Sequence, residues 1–232
     1  MRELSLRDEY IAQVVSGRSF TEVGGLWGVV NEKCSVASRN GAVSIKMVDI
    51  LAEDDPHWVK FQNRMSSFGV QDYKCISADI GSPGFDCSVV KSDIVHCSGV
   101  LYHHPDPMLM LSKLREMTGE YLVLTSVISQ ERVENRKGTF QVPPSGVVFV
   151  PSLRDEERDV LKVYWQEDVG IDVARGIIDK VPYDLSKSGP WWWLPTENAL
   201  RSMIEVAGFE IESSDLTWSG NALTSLLKIR DA

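Results

Sequence analysis

The stretch "FTEVGGLWG", residues 20–28, decides how the chain is read. A short apolar strand enters it and Glu22 sits near the strand's end. Gly24, Gly25 and Gly28 then allow a tight turn before "VVNEKCSVASRN" (29–40), which predicts a helix stopped by Gly41. Strand, glycine turn and helix in succession is the local pattern with which parallel sheets hold nucleotides. This turn has no GKS or GKT, so it offers no lysine to a nucleoside triphosphate, and its spacing departs from GxGxxG. A carboxylate at Glu22 is poorly placed for a pyrophosphate and well placed for a cationic ligand.

Working outward, residues 1–18 predict an amphipathic helix with Leu4, Tyr10, Ile11, Val14 and Val15 on its buried side. Beyond the turn, "AVSIKMVDI" (42–50) reads as a buried strand with Asp49 at its carboxyl end. Residues 55–68 suit a helix with Pro56 in the first turn. "YKCISADI" (73–80) is a third strand ending near Asp79, and "SDIVHCSGVLYHHPDP" (92–107) a fourth strand with its loop. "PMLMLSKLREMT" (107–118) is a helix and "GEYLVLTSVI" (119–128) a fifth strand. Such alternation of strand and helix predicts an α/β fold, a Rossmann-like doubly wound sheet, mostly parallel. Residues 130–194 interrupt the rhythm with several Pro and Gly, the charged run "LRDEERD" (153–159), and Trp165, Trp191, Trp192 and Trp193. A segment this long is a lid or a small subdomain inserted before the sixth strand. The rhythm returns with a helix capped by Thr196 and stopped by Gly208, a strand, and "ALTSLLKIR" (222–230) as the last of seven strands.

Composition narrows the function. The 232 residues are 43% hydrophobic and 25% charged, ordinary for a globular chain. A net charge of −9 opposes an extended nucleic-acid surface, which relies on clustered Lys and Arg. "ENRKG" (134–138) is the compact basic candidate, and a solvated loop explains it as well. Cys34, Cys75, Cys87 and Cys97 form no CxxC pair, which argues for buried thiols in a reducing compartment and against a structural zinc or a disulfide framework. No apolar run approaches a membrane span, the first residues lack the features of a signal peptide, and a cytoplasmic location is expected.

In an open parallel sheet the ligand lies beyond the carboxyl ends of the strands. With those ends in view, the sequence resembles the class I S-adenosylmethionine-dependent methyltransferases. Their first-strand motif runs acidic-x-Gly-x-Gly-x-Gly, and Glu22, Gly24 and Gly28 take its first, second and last places. Leu26 stands at the middle glycine, with Gly25 beside it. The resemblance implies S-adenosyl-L-methionine as cofactor, with Glu22, Gly24 and Gly25 in the cofactor loop. It implies Asp49 on the ribose hydroxyls with Ile50 beside it, Asp79 at the adenine amino group and Ile80 on the adenine face. Cys97 and Ser98, in "DIVHCSGVLYHHPDP" (93–107), would line the methionine end. "WWLPTENALRSMIEVAGFEI" (192–211) resembles the family's closing helix and sixth strand. On this reading residues 1–129 carry the N-terminal helix and the cofactor-binding part, 130–190 an insertion or lid for substrate recognition, and 191–232 the closing elements.

His103 and His104 follow the fourth strand, where a base could face the transferred methyl group; a histidine suits deprotonation of a hydroxyl. His96, inside the strand, is expected to pack in the core, and His57 has no special claim. The adjacent tryptophans serve core packing or an acceptor pocket, and Tyr102, Asp106, Arg132 and Tyr164 are further polar candidates in that region. No metal is required. The expected substrate is a small-molecule acceptor, with O-methylation through a histidine base; a homodimer is left open. Two alternatives stand beside it. One is a methyltransferase acting on the wobble uridine of tRNA, which "GVLYHHPDP" (99–107) and the glycine turn also resemble; the other is a non-catalytic protein retaining the fold.

Overall fold

The computed structural model describes residues 5–185 and 189–230. Helix α1 (Leu6–Val14) is capped by Ser5, which accepts the Asp8 N–H, and it buries Tyr10, Ile11 and Val14. It is shorter than the expected 1–18; Leu4 lies outside the described residues, and Gly17, at φ +74°, turns the chain into β1 (Ser19–Val23). The helix expected over 29–40 is broken into a single 3₁₀ turn, Val29–Asn31, and α2 (Cys34–Arg39). Two carboxylates restart it: Glu22 accepts the N–H groups of Lys33 and Cys34, and Glu32 accepts that of Ser35.

The chain continues through β2 (Ser44–Asp49), α3 (Pro56–Ser67), β3 (Lys74–Ser77), β4 (Ser92–Ser98), α4 (Pro107–Met117) and β5 (Thr118–Val127). Between β3 and β4 the strand–helix alternation fails. "GSPG" (81–84) breaks helical geometry, and one 3₁₀ turn, Cys87–Val89, stands in place of a helix. Ile80, Cys87 and Val90 still cover that face of the sheet. After β5 come the hairpin β6 (Arg132–Asn135) and β7 (Gly138–Gln141), then β8 (Val147–Phe149) and α5 (Asp155–Val163), which runs into a π turn over Tyr164–Asp168. Strand β9 (Trp193–Pro195) pairs antiparallel with β8, and α6 (Glu197–Val206), β10 (Phe209–Thr217) and β11 (Ala222–Ile229) complete the chain.

The seven-stranded sheet has the order β3-β2-β1-β4-β5-β11-β10, parallel except that β11 runs against both its neighbours. One apolar cluster lies on each face. A third belongs mainly to the segment between β5 and β9 and is built on Phe140, Val150, Leu161, Trp165, Ile177 and Trp191. Trp165 and Trp191, each 1% exposed, meet edge to face with ring centroids 5.0 Å apart. Trp192 is buried and Trp193 half-buried, so most of the tryptophan surface serves packing. Cys34, Cys87 and Cys97 are buried as expected, whereas Cys75 is exposed, because β3 is an edge strand. Among the described residues, no helix is long and apolar enough to cross a membrane.

Candidate functional site

Strand β1 lies between β2 and β4, so successive connections diverge from it to opposite sides, and the carboxyl ends of β1, β2 and β4 form the switch point at which such sheets hold ligands. Register brings the expected residues there: Val23 pairs with both Val48 and Cys97, and Asp49 with Ser77. Gly24 extends the ladder by donating its N–H to the Val48 carbonyl (2.9 Å) and then turns with φ +75°. A Cβ there would lie 2.3 Å from a methyl of Val100, and one at Gly25 would lie 2.7 Å from Glu22 Oε1. These two glycines are therefore demanded by the turn itself.

Leu26 replaces the middle glycine without opening the turn. Its side chain is fully buried in the cluster with Met47 and Phe61, and its N–H donates to Asp49 Oδ2 at 3.1 Å. Leu51 N–H donates to Oδ1, also at 3.1 Å. Burial pushes the Asp49 carboxyl above its ordinary pKa, against the opposing pull of these N–H groups. Asp49 is 3% exposed; each oxygen has accepted one bond and retains acceptor capacity. Ile50 is exposed beside it. Asp79 is also exposed and accepts the Gly81 N–H, while Ile80 is buried in the core. Sequence reasoning passed over the neighbouring Trp27 and His57. Trp27 is 72% exposed, its ring 5.2 Å from that of His57, whose Nδ1 lies 2.7 Å from Asp55 Oδ1. An aromatic residue inside a glycine turn was the available signal.

Glu22 faces inward. Its carboxylate accepts the N–H of Lys33 at 2.7 Å and of Cys34 at 3.0 Å, and Oε1 lies 3.4 Å from Nδ1 of buried His96. Burial alone would raise its pKa; nearby His96 and the Lys33 N–H outweigh burial and hold it below the usual carboxylate range. Glu22, Glu32 and Cys34 lie close enough to share an ion, but Glu32 is engaged by Ser35 and by Arg64 (2.9 Å), and burial raises the Cys34 thiol far above its usual pKa. The carboxylates already serve as internal anchors. Glu22→Gln should cost about 2 kcal/mol, since one shared acceptor is lost to buried N–H groups. Urea unfolding checks this, and a change under 0.5 kcal/mol would contradict the anchor role. Because the folded pKa of Glu22 is depressed, its contribution is present above the ordinary carboxylate range and is lost as pH falls through the folded value.

At the end of β4, Cys97 is fully buried, and burial pushes its thiol up to about 12, which keeps it protonated. Ser98 accepts a hydrogen bond from Arg7 Nη1 at 2.9 Å. The two candidate histidines differ. His103 Nδ1 lies 2.7 Å from the Gly189 carbonyl oxygen and donates to it; burial holds the ring's pKa below the ordinary histidine value, so Nε2 carries a lone pair at neutral pH. His104 folds onto its own loop, with Nδ1 2.7 Å from the Asp106 carbonyl oxygen. Its ring lies so near Gly81 that a Cβ there would be 2.3 Å from Nε2.

Of the further candidates, Tyr102 packs its ring 5.0 Å from Trp191, and Asp106 caps α4 by accepting the Leu109 N–H. Tyr164 donates to Asn221, and Arg132 pairs with Glu134. Trp193 donates Nε1–H to the Pro105 carbonyl at 2.9 Å and packs 4.6 Å from Phe149, which is 38% exposed. The basic loop at 134–138 is neutralised locally: Arg136 pairs with Glu167 and Lys137 with Asp159.

No family model matches the chain. A tRNA U34 carboxymethyltransferase of Campylobacter fetus is 28% identical over 162 residues, covering 59% of this chain and 53% of that protein. The chain thus spans about half the length of the curated relative it matches. Among solved structures, the N-terminal domain of EvdMO1, determined with SAH and D-fucose, has a TM-score of 0.58 at 15% identity, covering 97% of this chain and 82% of that one. Magnesium protoporphyrin IX methyltransferase of Synechocystis PCC 6803, with bound SAH, gives 0.56 at 16% identity, with coverage of 97% and 82%. A Burkholderia thailandensis 1,6-didemethyltoxoflavin-N1-methyltransferase, with bound 1,6-didemethyltoxoflavin and S-adenosylhomocysteine, gives 0.55 at 11% identity, with coverage of 97% and 79%. Strand order and these likenesses agree: the chain has the fold of the class I S-adenosylmethionine-dependent methyltransferases.

Proposed function

We propose that the protein is an S-adenosylmethionine-dependent methyltransferase for a small-molecule acceptor, working by O-methylation with His103 as the base. The observation that carries this is the meeting of the Gly24–Gly25 turn, Asp49 and Asp79 at adjacent strand ends on the switch point of the sheet. The residues suit the cofactor: a bare glycine backbone at the turn, a carboxylate with acceptor capacity at Asp49, and the exposed Ile50 and Asp79 alongside. Bound there, S-adenosylmethionine supplies an electrophilic methyl group.

The chain's own work is then orientation, desolvation and one proton transfer. Asp49 would accept from the ribose hydroxyls and Asp79 from the adenine amino group, and the backbone at Cys97 and Ser98 would line the methionine end. Half-exposed Phe149 and Trp193 offer flat surface to an acceptor beside the His103–Pro105 loop, and the inserted segment acts as a lid that excludes water. His103 Nε2 takes the hydroxyl proton, its other nitrogen being held by Gly189.

The 28% match favours a second reading, a methyltransferase that modifies tRNA. The charge of −9 and the ion-paired basic loop count against it. Calorimetric titration with S-adenosylmethionine and S-adenosylhomocysteine tests the common core of both readings: binding of both ligands is expected, and binding of neither would leave a non-catalytic protein with this fold. Retention on tRNA at low salt would turn the assignment toward the second reading.

A further inference from the structure

We propose that Arg158 and Trp192 form a buried site for a small monovalent anion of the halide class, set between α5 and the β8–β9 hairpin of the inserted segment. Arg158 lies in the first half of α5 and is 9% exposed. Its Nη2 reaches the carbonyl oxygens of Val150 and Leu153 only at 3.4 and 3.5 Å, and its Nε and Nη1 have no hydrogen-bond partner among the described residues. The neighbouring acids of α5 serve other cations: Asp155 pairs with Lys180 at 2.6 Å, Glu157 with Arg154 at 3.1 Å and Asp159 with Lys137 at 3.8 Å. Buried N–H groups of a charged guanidinium that meet no acceptor are costly in the protein alone and become favourable once an anion arrives.

Trp192 supplies the second observation. It is 3% exposed, and its indole Nε1 is likewise without a partner among the described residues. The two side chains share neighbours: the Trp192 carbonyl accepts the Val150 N–H at 2.9 Å, and the Trp192 ring lies 4.7 Å from that of Tyr183. Burial pushes the Tyr183 hydroxyl up to about 12 and the Arg158 charge opposes this, so the guanidinium acts on that ring as well. Among the described residues between 130 and 194, the buried side-chain atoms that lack a partner are Arg158 Nε and Nη1, Trp165 Nε1 and Trp192 Nε1, and every one is a donor. A water molecule there would bring two protons that need acceptors of their own, whereas an anion brings acceptor capacity alone. The depth of burial suits a halide better than an organic acid. Such an ion ties α5 to the hairpin that carries Phe149 and Trp193, and it binds whether or not the chain transfers methyl groups.

Thermal unfolding in potassium bromide against potassium gluconate, at constant ionic strength, reads the site in solution. The unfolding temperature should rise with the logarithm of the bromide concentration, as binding to the folded state requires, and Arg158→Met should remove that dependence. Trp192→Phe keeps an aromatic ring and loses the N–H. It should need about 3- to 10-fold more bromide for the same rise, the effect of one hydrogen bond, and it carries the test where Arg158→Met does not fold. A bromide-soaked crystal of the unaltered protein locates the ion directly, with an anomalous peak expected beside Arg158 Nη1 and Trp192 Nε1. Identical bromide responses in the original protein and its variants, or bromide found only on the surface, would overturn the proposal.

Discussion

His103→Ala should lower methyl-transfer turnover by about 10²–10⁴-fold, the usual contribution of a positioned general base, while the affinity for S-adenosylhomocysteine stays within about threefold of the original. The split follows from where the ring sits. Its Nδ1–H is held by the Gly189 carbonyl, and no cofactor contact is assigned to it, so its loss falls on the chemical step. The pH profile supplies a second readout. Burial lowers the histidine's pKa, so the neutral, basic form dominates at neutral pH. The half-maximal point of the rate profile should therefore fall at a more acidic pH than that of an ordinary histidine. His104→Ala should instead disturb the packing against Gly81. Equal turnover in the original protein and His103→Ala would remove the base from the mechanism.

Asp49→Ala should raise the dissociation constant for S-adenosylhomocysteine by about 10²–10³-fold, because two hydrogen bonds to a charged acceptor are lost together. The same substitution frees the Leu26 and Leu51 N–H groups, so a control is needed. Asp49→Asn retains one oxygen acceptor and should fall between the two. Because burial raises the Asp49 carboxyl, its ionised form is lost at a less acidic pH than for an exposed aspartate, and affinity should weaken correspondingly early as pH falls. Calorimetry across pH reads both effects; unchanged affinity in Asp49→Ala would mean that the crevice is misassigned.

What could be read in advance was local. Compact apolar runs marked β2, β4 and β5, and Thr196 and Gly208 bounded α6 through capping chemistry that depends on immediate neighbours. The break before Cys34 escaped notice because Glu22, from another element, competes for the helix's first N–H groups. Arg7 and Ser98 are 91 positions apart, and His103 and Gly189 are 86 apart; neither separation has a periodic signature. Topology makes such contacts, so the acids at strand ends were visible in the sequence while the groups that orient or oppose them were not. The two histidines were equivalent as letters and became distinct only through what each Nδ1 meets.

The bond from His103 to Gly189 joins the proposed base to the far end of the inserted segment. On the proposed reading that contact would act as an interlock. On that reading, the proton would be confined to Nδ1 with Gly189 in place, leaving the Nε2 lone pair for the acceptor, and the imidazole would lose its preference between tautomers if the segment moved away. Water would then enter under the same condition that leaves the base misoriented. A substrate would then be activated only after solvent has been shut out, and wasteful transfer of the methyl group to water would be suppressed by the geometry of one carbonyl.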